Sequence, residues 1–311
     1  MATIIQVNGT NIHYKLEGPQ NGPTIVFSNS LGTDMRIWDD VISHLPKNLR
    51  ILRYDKRGHG LSDCPKSPYS MGALVRDIEA LMDQFGLKNS LFIGLSIGGL
   101  IGQGLAVKRL DLIRALVLSN TGARIGNRQI WEERISKVKS SGMKALTEQT
   151  MKRWFSKKFF ESTELNIWKN MFERQPLEGY IGCSNAISGT DFYTPTSSLR
   201  LPTIGIAGSE DGSTPPDLVR ETCDLIPGSQ FNLINPLCYC NICFFQSFFG
   251  KFAAVGLCWT FSFHILNELR HLFWDLGYGF DLKISKITGV LALVGSFVLT
   301  VLFYLIGKNI F

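Results

Sequence analysis

Short apolar runs alternate with longer stretches of helical periodicity as far as about Ile234, and there the alternation stops. Thr24-Ile-Val-Phe-Ser reads as a buried strand, rich in β-branched residues and bounded by Gly22-Pro23. Arg50-Ile-Leu-Arg-Tyr, ending at Asp55, is a second; Ser90-Leu-Phe-Ile-Gly, Ala115-Leu-Val-Leu-Ser, Thr203-Ile-Gly-Ile-Ala and Gln230-Phe-Asn-Leu-Ile follow. Between the second and third, Met71 to Phe85 places Leu74, Val75, Ile78, Leu81 and Met82 on one helical face. Strands alternating with helices predict a mostly parallel sheet covered on both faces. From about 122 to 200 the pattern becomes helical and aromatic, with Trp131, Trp154, Phe155, Phe159, Phe160, Trp168 and Phe172. This block predicts a helical cap over the sheet, its aromatics mostly cap core with one or two facing a ligand.

Beyond Ile234 the chain runs in Phe, Leu, Ile and Val with few charges. Ile287 to Gly307 holds no charged residue over about 21 positions, enough to span a bilayer. A second spanning helix is expected over about 244–266, interrupted by Lys251 and ending at His264. The domain reading is therefore 1–234, a junction at 235–243, and a membrane part at 244–311.

The formal charge of +6 belongs mainly to the first part. There Lys137, Lys139, Lys144, Lys152 and Arg153 stand among Glu132, Glu133 and Glu148, the pattern of a solvated helical surface. No basic block interleaves with aromatics, so nucleic acid is not an expected partner. Met1-Ala-Thr-Ile-Ile lacks the basic and apolar regions of a signal peptide, which places the first part in the cytosol. Cys64, Cys183 and Cys223 are scattered, as reduced thiols would be; Cys238, Cys240 and Cys243 cluster, but without a matching His or second Cys pair for a metal.

Gly94-Leu95-Ser96-Ile97-Gly98 lies between a strand and an apolar helix beginning near Leu100. In that context G-x-S-x-G marks a nucleophile elbow, with Ser96 at its tip and small residues at both glycine positions. The backbone N–H of Ile97, at the helix start, is an expected oxyanion donor. A second should come from Ser28-Asn29-Ser30-Leu31-Gly32, at Leu31. An acid should follow a later strand: Asp211 is the candidate and Glu210 its neighbouring rival.

Ser28-Asn-Ser-Leu-Gly-Thr, Tyr54-Asp-Lys-Arg-Gly-His-Gly, Gly94-Leu-Ser-Ile-Gly-Gly, Leu118-Ser-Asn-Thr and Glu178-Gly-Tyr-Ile-Gly-Cys resemble the 3-oxoadipate enol-lactonases, α/β-hydrolases of the β-ketoadipate pathway. The likeness runs from about Thr3 to Ile234. It implies an α/β-hydrolase sheet with a helical cap and hydrolysis of a small carboxylated enol-lactone. Ser96 would act as nucleophile or water-activating group, and Asp211 would orient a histidine, without cofactor. That family carries its histidine shortly after the last strand, followed by a helix. Here Asn235-Pro-Leu-Cys-Tyr-Cys follows, and the five histidines are His13, His44, His59, His264 and His271. The fold is thus expected to be truncated before its catalytic base, the activity impaired and one sheet face uncovered.

Phe248-Phe-Gly-Lys-Phe, Phe263-His-Ile-Leu-Asn-Glu-Leu-Arg-His-Leu and Trp274-Asp-Leu-Gly-Tyr are similar to the cytochrome b556 membrane-anchor subunit of succinate dehydrogenase, over about 244–308. The resemblance implies a bacterial inner-membrane location, lipid contact, other succinate dehydrogenase subunits as partners, and haem b. His264 occupies the position of an axial ligand and His271 that of a residue near the haem propionates. Glu268-Leu269 replaces the family's Gly-Ile, and its first membrane helix has no counterpart. Three organisations remain open: an impaired hydrolase on a membrane tether, a haem-binding anchor with an unrelated N-terminal domain, or a non-functional join by deletion, frameshift or assembly.

Overall fold

Alternating burial along short β-branched runs is what makes the strands a sheet with two distinct faces. In a computed structural model of the chain, described for residues 3–235, 287, 288, 290–298 and 300, the chain divides into two units, Met1–Pro236 and Leu237–Phe311. The first unit runs β1 (Thr3–Val7), β2 (Thr10–Glu17), β3 (Thr24–Ser28), α1 (Asp39–Ser43), β4 (Arg50–Tyr54), α2 (Met71–Gln84), β5 (Ser90–Leu95), α3 (Ile97–Lys108) and β6 (Ile113–Ser119). It continues through α4 (Arg128–Ser141), α5 (Lys144–Trp154), α6 (Leu165–Glu173), α7 (Leu177–Ser188), α8 (Tyr193–Ser197), β7 (Thr203–Gly208), α9 (Pro216–Asp224) and β8 (Gln230–Ile234). The strands form one 8-stranded sheet in the order β1-β2-β4-β3-β5-β6-β7-β8. β2 is antiparallel to β1 and β4; every pairing from β4 to β8 is parallel.

Both covered faces predicted for the sheet are present, but unequally. Val26 and Leu52 point into the larger core, where α2 lays down Leu74, Val75, Ile78, Leu81 and Met82 and α3 adds Leu100, Ile101 and Leu105. Ile25, Phe27 and Ile51 point the other way, under Trp38, Ile37 and Ile42. On that second face Phe27, Ile93, Val117 and Ile204 stand side by side in register. Phe27 is fully buried whereas Ile204 is 38% exposed, and Ile234, on the same face of β8, is exposed too. Cover thus fades towards β8, in line with the face expected to lack a helix.

α3 begins at Ile97, three residues ahead of the apolar run near Leu100. Its first turn is Ile-Gly-Gly, and glycines carry no apolar period to read. The membrane helix expected over 287–307 is helical at 287, 288, 290–298 and 300; the one expected over 244–266 lies outside the described residues. No helix among the described residues is long and apolar enough to cross a membrane.

α4 to α8 form the helical block between β6 and β7, and α7 fastens it to the loop after β4. Ser67 N and Oγ both donate to Glu178 Oε2 (3.1 and 2.8 Å), and Tyr69 N donates to Gly182 O (3.3 Å). The backbones at Gly179 and Gly58 are so close that a Cβ on Gly179 would lie 1.8 Å from Gly58 O. Gly179→Ala is therefore expected to destabilise the fold by about 3 kcal/mol in urea unfolding of the chain. Gly189→Ala is the control: its Cβ meets nothing nearer than Asn185 O at 3.5 Å, and its effect should stay within about 0.5 kcal/mol.

Candidate active site

The turn from β5 into α3 leaves no room for side chains on one side. A Cβ on Gly94 would lie 2.3 Å from Gly98 O, and one on Gly98 would lie 2.1 Å from Ser28 O. Between them Ser96 sits at φ 56°, ψ −118°, a conformation that costs a non-glycine residue about 1–3 kcal/mol. The turn is held at both ends: Ser96 N donates to Ser119 O (3.0 Å), and Thr121 Oγ1 donates to Ser96 O (2.7 Å).

The loop after β3 lies against this turn. Its backbone is fixed from behind by two buried side chains of the Asp55-Lys-Arg-Gly-His segment. Lys56 Nζ donates to Ser30 O (2.6 Å) and Thr33 O (3.4 Å), and Gly32 N donates to His59 Nε2 (3.0 Å). Burial lowers the Lys56 ammonium to about 8. Burial, reinforced by the Lys56 charge, holds His59 well below the usual imidazole range, so its Nε2 is free to accept. The N–H groups of Leu31 and Ile97 have no hydrogen-bond partner among the described residues.

Asp211 follows β7, and four donors converge on its carboxylate: Asn120 Nδ2 (2.5 Å), Thr214 Oγ1 (2.9 Å), Ser213 N (2.6 Å) and Thr214 N (3.1 Å). Glu210 is exposed and turns instead to Lys157 N at 3.4 Å. Asp211 and Ser96 line one cavity of about 240 Å³, together with Ser30, Trp38, Trp154 and Trp168. A recess of about 100 Å³ adjoins it at Ser96, lined by Leu31, Trp131, Arg134, Arg153 and Tyr180. Arg134 donates to Tyr180 Oη (2.6 Å) and Thr150 Oγ1 (2.9 Å). Neither arginine has a carboxylate partner among the described residues. The arrangement offers a half-buried hydroxyl facing the cavity, two N–H groups without partners among the described residues, a fixed carboxylate and two cations.

Several expectations change here. More cap aromatics face the cavities than the one or two expected: Trp154, Phe155 and Trp168 line the first and Trp131 the second. Arg153 belongs to the recess, not to the solvated surface where its charged neighbours suggested it lay. Arg134 gave no signal at all, because its helix reads as polar on most sides. Asn120 stood in the Leu118-Ser-Asn-Thr motif without a role. His44 follows α1 as its C-cap.

No histidine among the described residues lines either cavity. His13 pairs with Asp55 (2.7 Å), His44 is exposed, and His59 is behind the loop. His264, His271, Cys238, Cys240 and Cys243 lie outside the described residues. Among those described, no group of three or more His, Cys, Asp or Glu is placed to hold a metal.

A family profile described as alpha/beta hydrolase fold matches residues 23–238. A second, described as the succinate dehydrogenase/fumarate reductase transmembrane subunit, matches residues 229–303. The chain is 32% identical to 3-oxoadipate enol-lactonase 2 of Acinetobacter baylyi over 205 residues, 65% of this chain and 77% of that protein. Among solved structures, it is similar to the enol-lactonase from Burkholderia xenovorans LB400, with 37% identity and a TM-score of 0.72. That match covers 75% of this chain and 91% of the other. A hydrolase from Pseudomonas aeruginosa PA01 matches at 30% identity and a TM-score of 0.72, covering 80% and 96%.

His59 yields a pH dependence. A buried imidazole with its pKa held below the unfolded value contributes stability above about pH 6.5, and that stability is lost as pH falls. Between about pH 6.5 and 5 it should add up to about 1.4 kcal/mol per pH unit to the slope of unfolding free energy. His59→Gln, which does not titrate, is expected to remove that part of the slope in urea titrations at each pH.

Proposed function

The chain belongs to the alpha/beta hydrolase fold family, and from that premise we propose that its first unit is a serine hydrolase of small carboxylated enol-lactones, of the 3-oxoadipate type, impaired for want of a base. The observation that carries the reading is one cavity system holding Ser96, Asp211 and two arginines without carboxylate partners. The arginines suit a carboxylate on the substrate, and the aromatic wall suits its carbon skeleton. Ser96 Oγ adds to the lactone carbonyl carbon, and the oxyanion is received by the N–H groups of Leu31 and Ile97. Collapse expels the ring oxygen as an enolate, and water then releases the acyl group as a second carboxylate. No cofactor enters these steps.

The weak point is the proton on Ser96. In an intact site an imidazole oriented by Asp211 accepts it; here no imidazole among the described residues lines the cavity to do so. Loss of one triad member leaves about 10³–10⁴-fold catalysis over water. Turnover of 3-oxoadipate enol-lactone by the purified chain is expected to be at least about 10³-fold below that of an intact relative. Leu237→His, three positions beyond β8, is expected to raise it. Turnover equal to the relative's would contradict the reading.

A second reading rests on the match over residues 229–303. On it the C-terminal part is a membrane anchor that contacts lipid and other succinate dehydrogenase subunits, with the hydrolase unit on the cytoplasmic side of a bacterial inner membrane. His264 would ligate haem b against a histidine of a partner subunit, and His271 would stand near the propionates. Co-expression with such a partner, read by visible absorption, is the test. His264→Ala is expected to abolish the haem b bands, and an unchanged spectrum would remove the assignment.

A further inference from the structure

The loop that carries Leu31 has a cavity on each side. Ser30, Thr33 and Trp38 face the Ser96 cavity. Asp34, Met35 and Arg36, within the same segment, face a different one of about 550 Å³, closed by His13, Asp55 and Arg174. None of the Ser96 chemistry uses this second space.

Its floor is a buried histidine–carboxylate pair. His13 Nδ1 lies 2.7 Å from Asp55 Oδ2, with both side chains nearly inaccessible. The Asp55 carboxylate also accepts Met35 N (2.7 Å) and Leu61 N (3.0 Å). With a carboxylate as its partner, Nδ1 is the atom that donates, which leaves Nε2 as the ring atom open to a ligand. Nε2 has no hydrogen-bond partner among the described residues. Nor is it one of the side-chain atoms sealed inside without a partner, which among the described residues are Asn29 Oδ1, Trp38 Nε1 and Arg53 Nε. It therefore meets open space, and the open space beside it is this cavity.

The rim supplies charge. Arg36 is engaged by Asp34 through two bonds (2.8 and 2.7 Å), and Lys15 pairs with Glu17 (2.6 Å). Arg174 is exposed and has no carboxylate partner among the described residues. Next to it, Gln175 Oε1 accepts Gly60 N at 2.9 Å, fixing this part of the rim to the loop below. An unpaired guanidinium matches a carboxylate, and an imidazole nitrogen on the floor matches a hydroxyl, which both donates and accepts.

We infer that this cavity is a second ligand site, for a small hydroxylated carboxylate whose hydroxyl bonds to His13 Nε2 and whose carboxylate meets Arg174. A ligand there touches Asp34 and Met35, hence the back of the loop that holds the N–H of Leu31. The site stands apart from Ser96 and independently of what Ser96 does.

The test is isothermal titration of the full chain in detergent with lactate, and with propionate as the analogue lacking the hydroxyl. Lactate is expected to bind about tenfold more tightly than propionate, the effect of one good hydrogen bond. His13→Asn keeps a donor for Asp55 but removes Nε2, and should bring lactate down to the level of propionate. Arg174→Gln should weaken both, while Ser96→Ala should leave both unchanged. Equal binding of the two acids, absence of binding, indifference to His13→Asn, or loss on Ser96→Ala would each overturn the inference. A His13→Asn variant that unfolds leaves Arg174→Gln, at the exposed rim, to decide.

Discussion

A single close approach organises the first unit: the opening turn of α3 lies against the end of β3, where position 98 admits no side chain because Ser28 O is in the way. That contact brings the Ser96 hydroxyl and the Leu31 loop to the same spot from two neighbouring strands. It holds only because the loop is braced behind. Lys56 and His59, both buried, bond to backbone groups at Ser30, Gly32 and Thr33, and Gly32 N has no other partner among the described residues. Burying an ammonium and an imidazole for this purpose is costly, as their lowered pKa values record. The strain at Ser96 is a further cost carried by the same assembly.

What the sequence disclosed about this region follows from how local each signal is. The strands from Thr24 to Ile234 and the helix at Met71–Gln84 are written in period and composition over a few residues, and their bounds lie close to those expected. Ser96 was legible because its turn needs glycines at fixed offsets. Arg153 was misread because its charged neighbours describe its helix correctly and its own side chain wrongly. Arg134, Asn120 and Lys56 depend on contacts with residues 16 to 91 positions away, which no window of sequence reports.

On the proposed reading the site lacks one group. Ser96, Asp211, the free N–H groups of Leu31 and Ile97 and the two arginines are held by separate elements, so on that reading the want of a base leaves them standing. Ordered donors still surround Asp211, although no imidazole among the described residues makes use of it. Cover thins in the same direction, from Phe27 to Ile204, and the profile of a different family matches from residue 229 onward.

The most direct measurement of this account is the rate at which a fluorophosphonate labels Ser96, followed by intact mass with and without free imidazole. The cavity beside Asp211 is about 240 Å³, large enough for an imidazole ring to enter. A built site lacking only its base should label slowly in buffer and faster in proportion to added imidazole, with Ser96→Ala unlabelled. Rapid labelling in buffer alone, indifferent to imidazole, would contradict it and require another group to be taking the proton from Ser96.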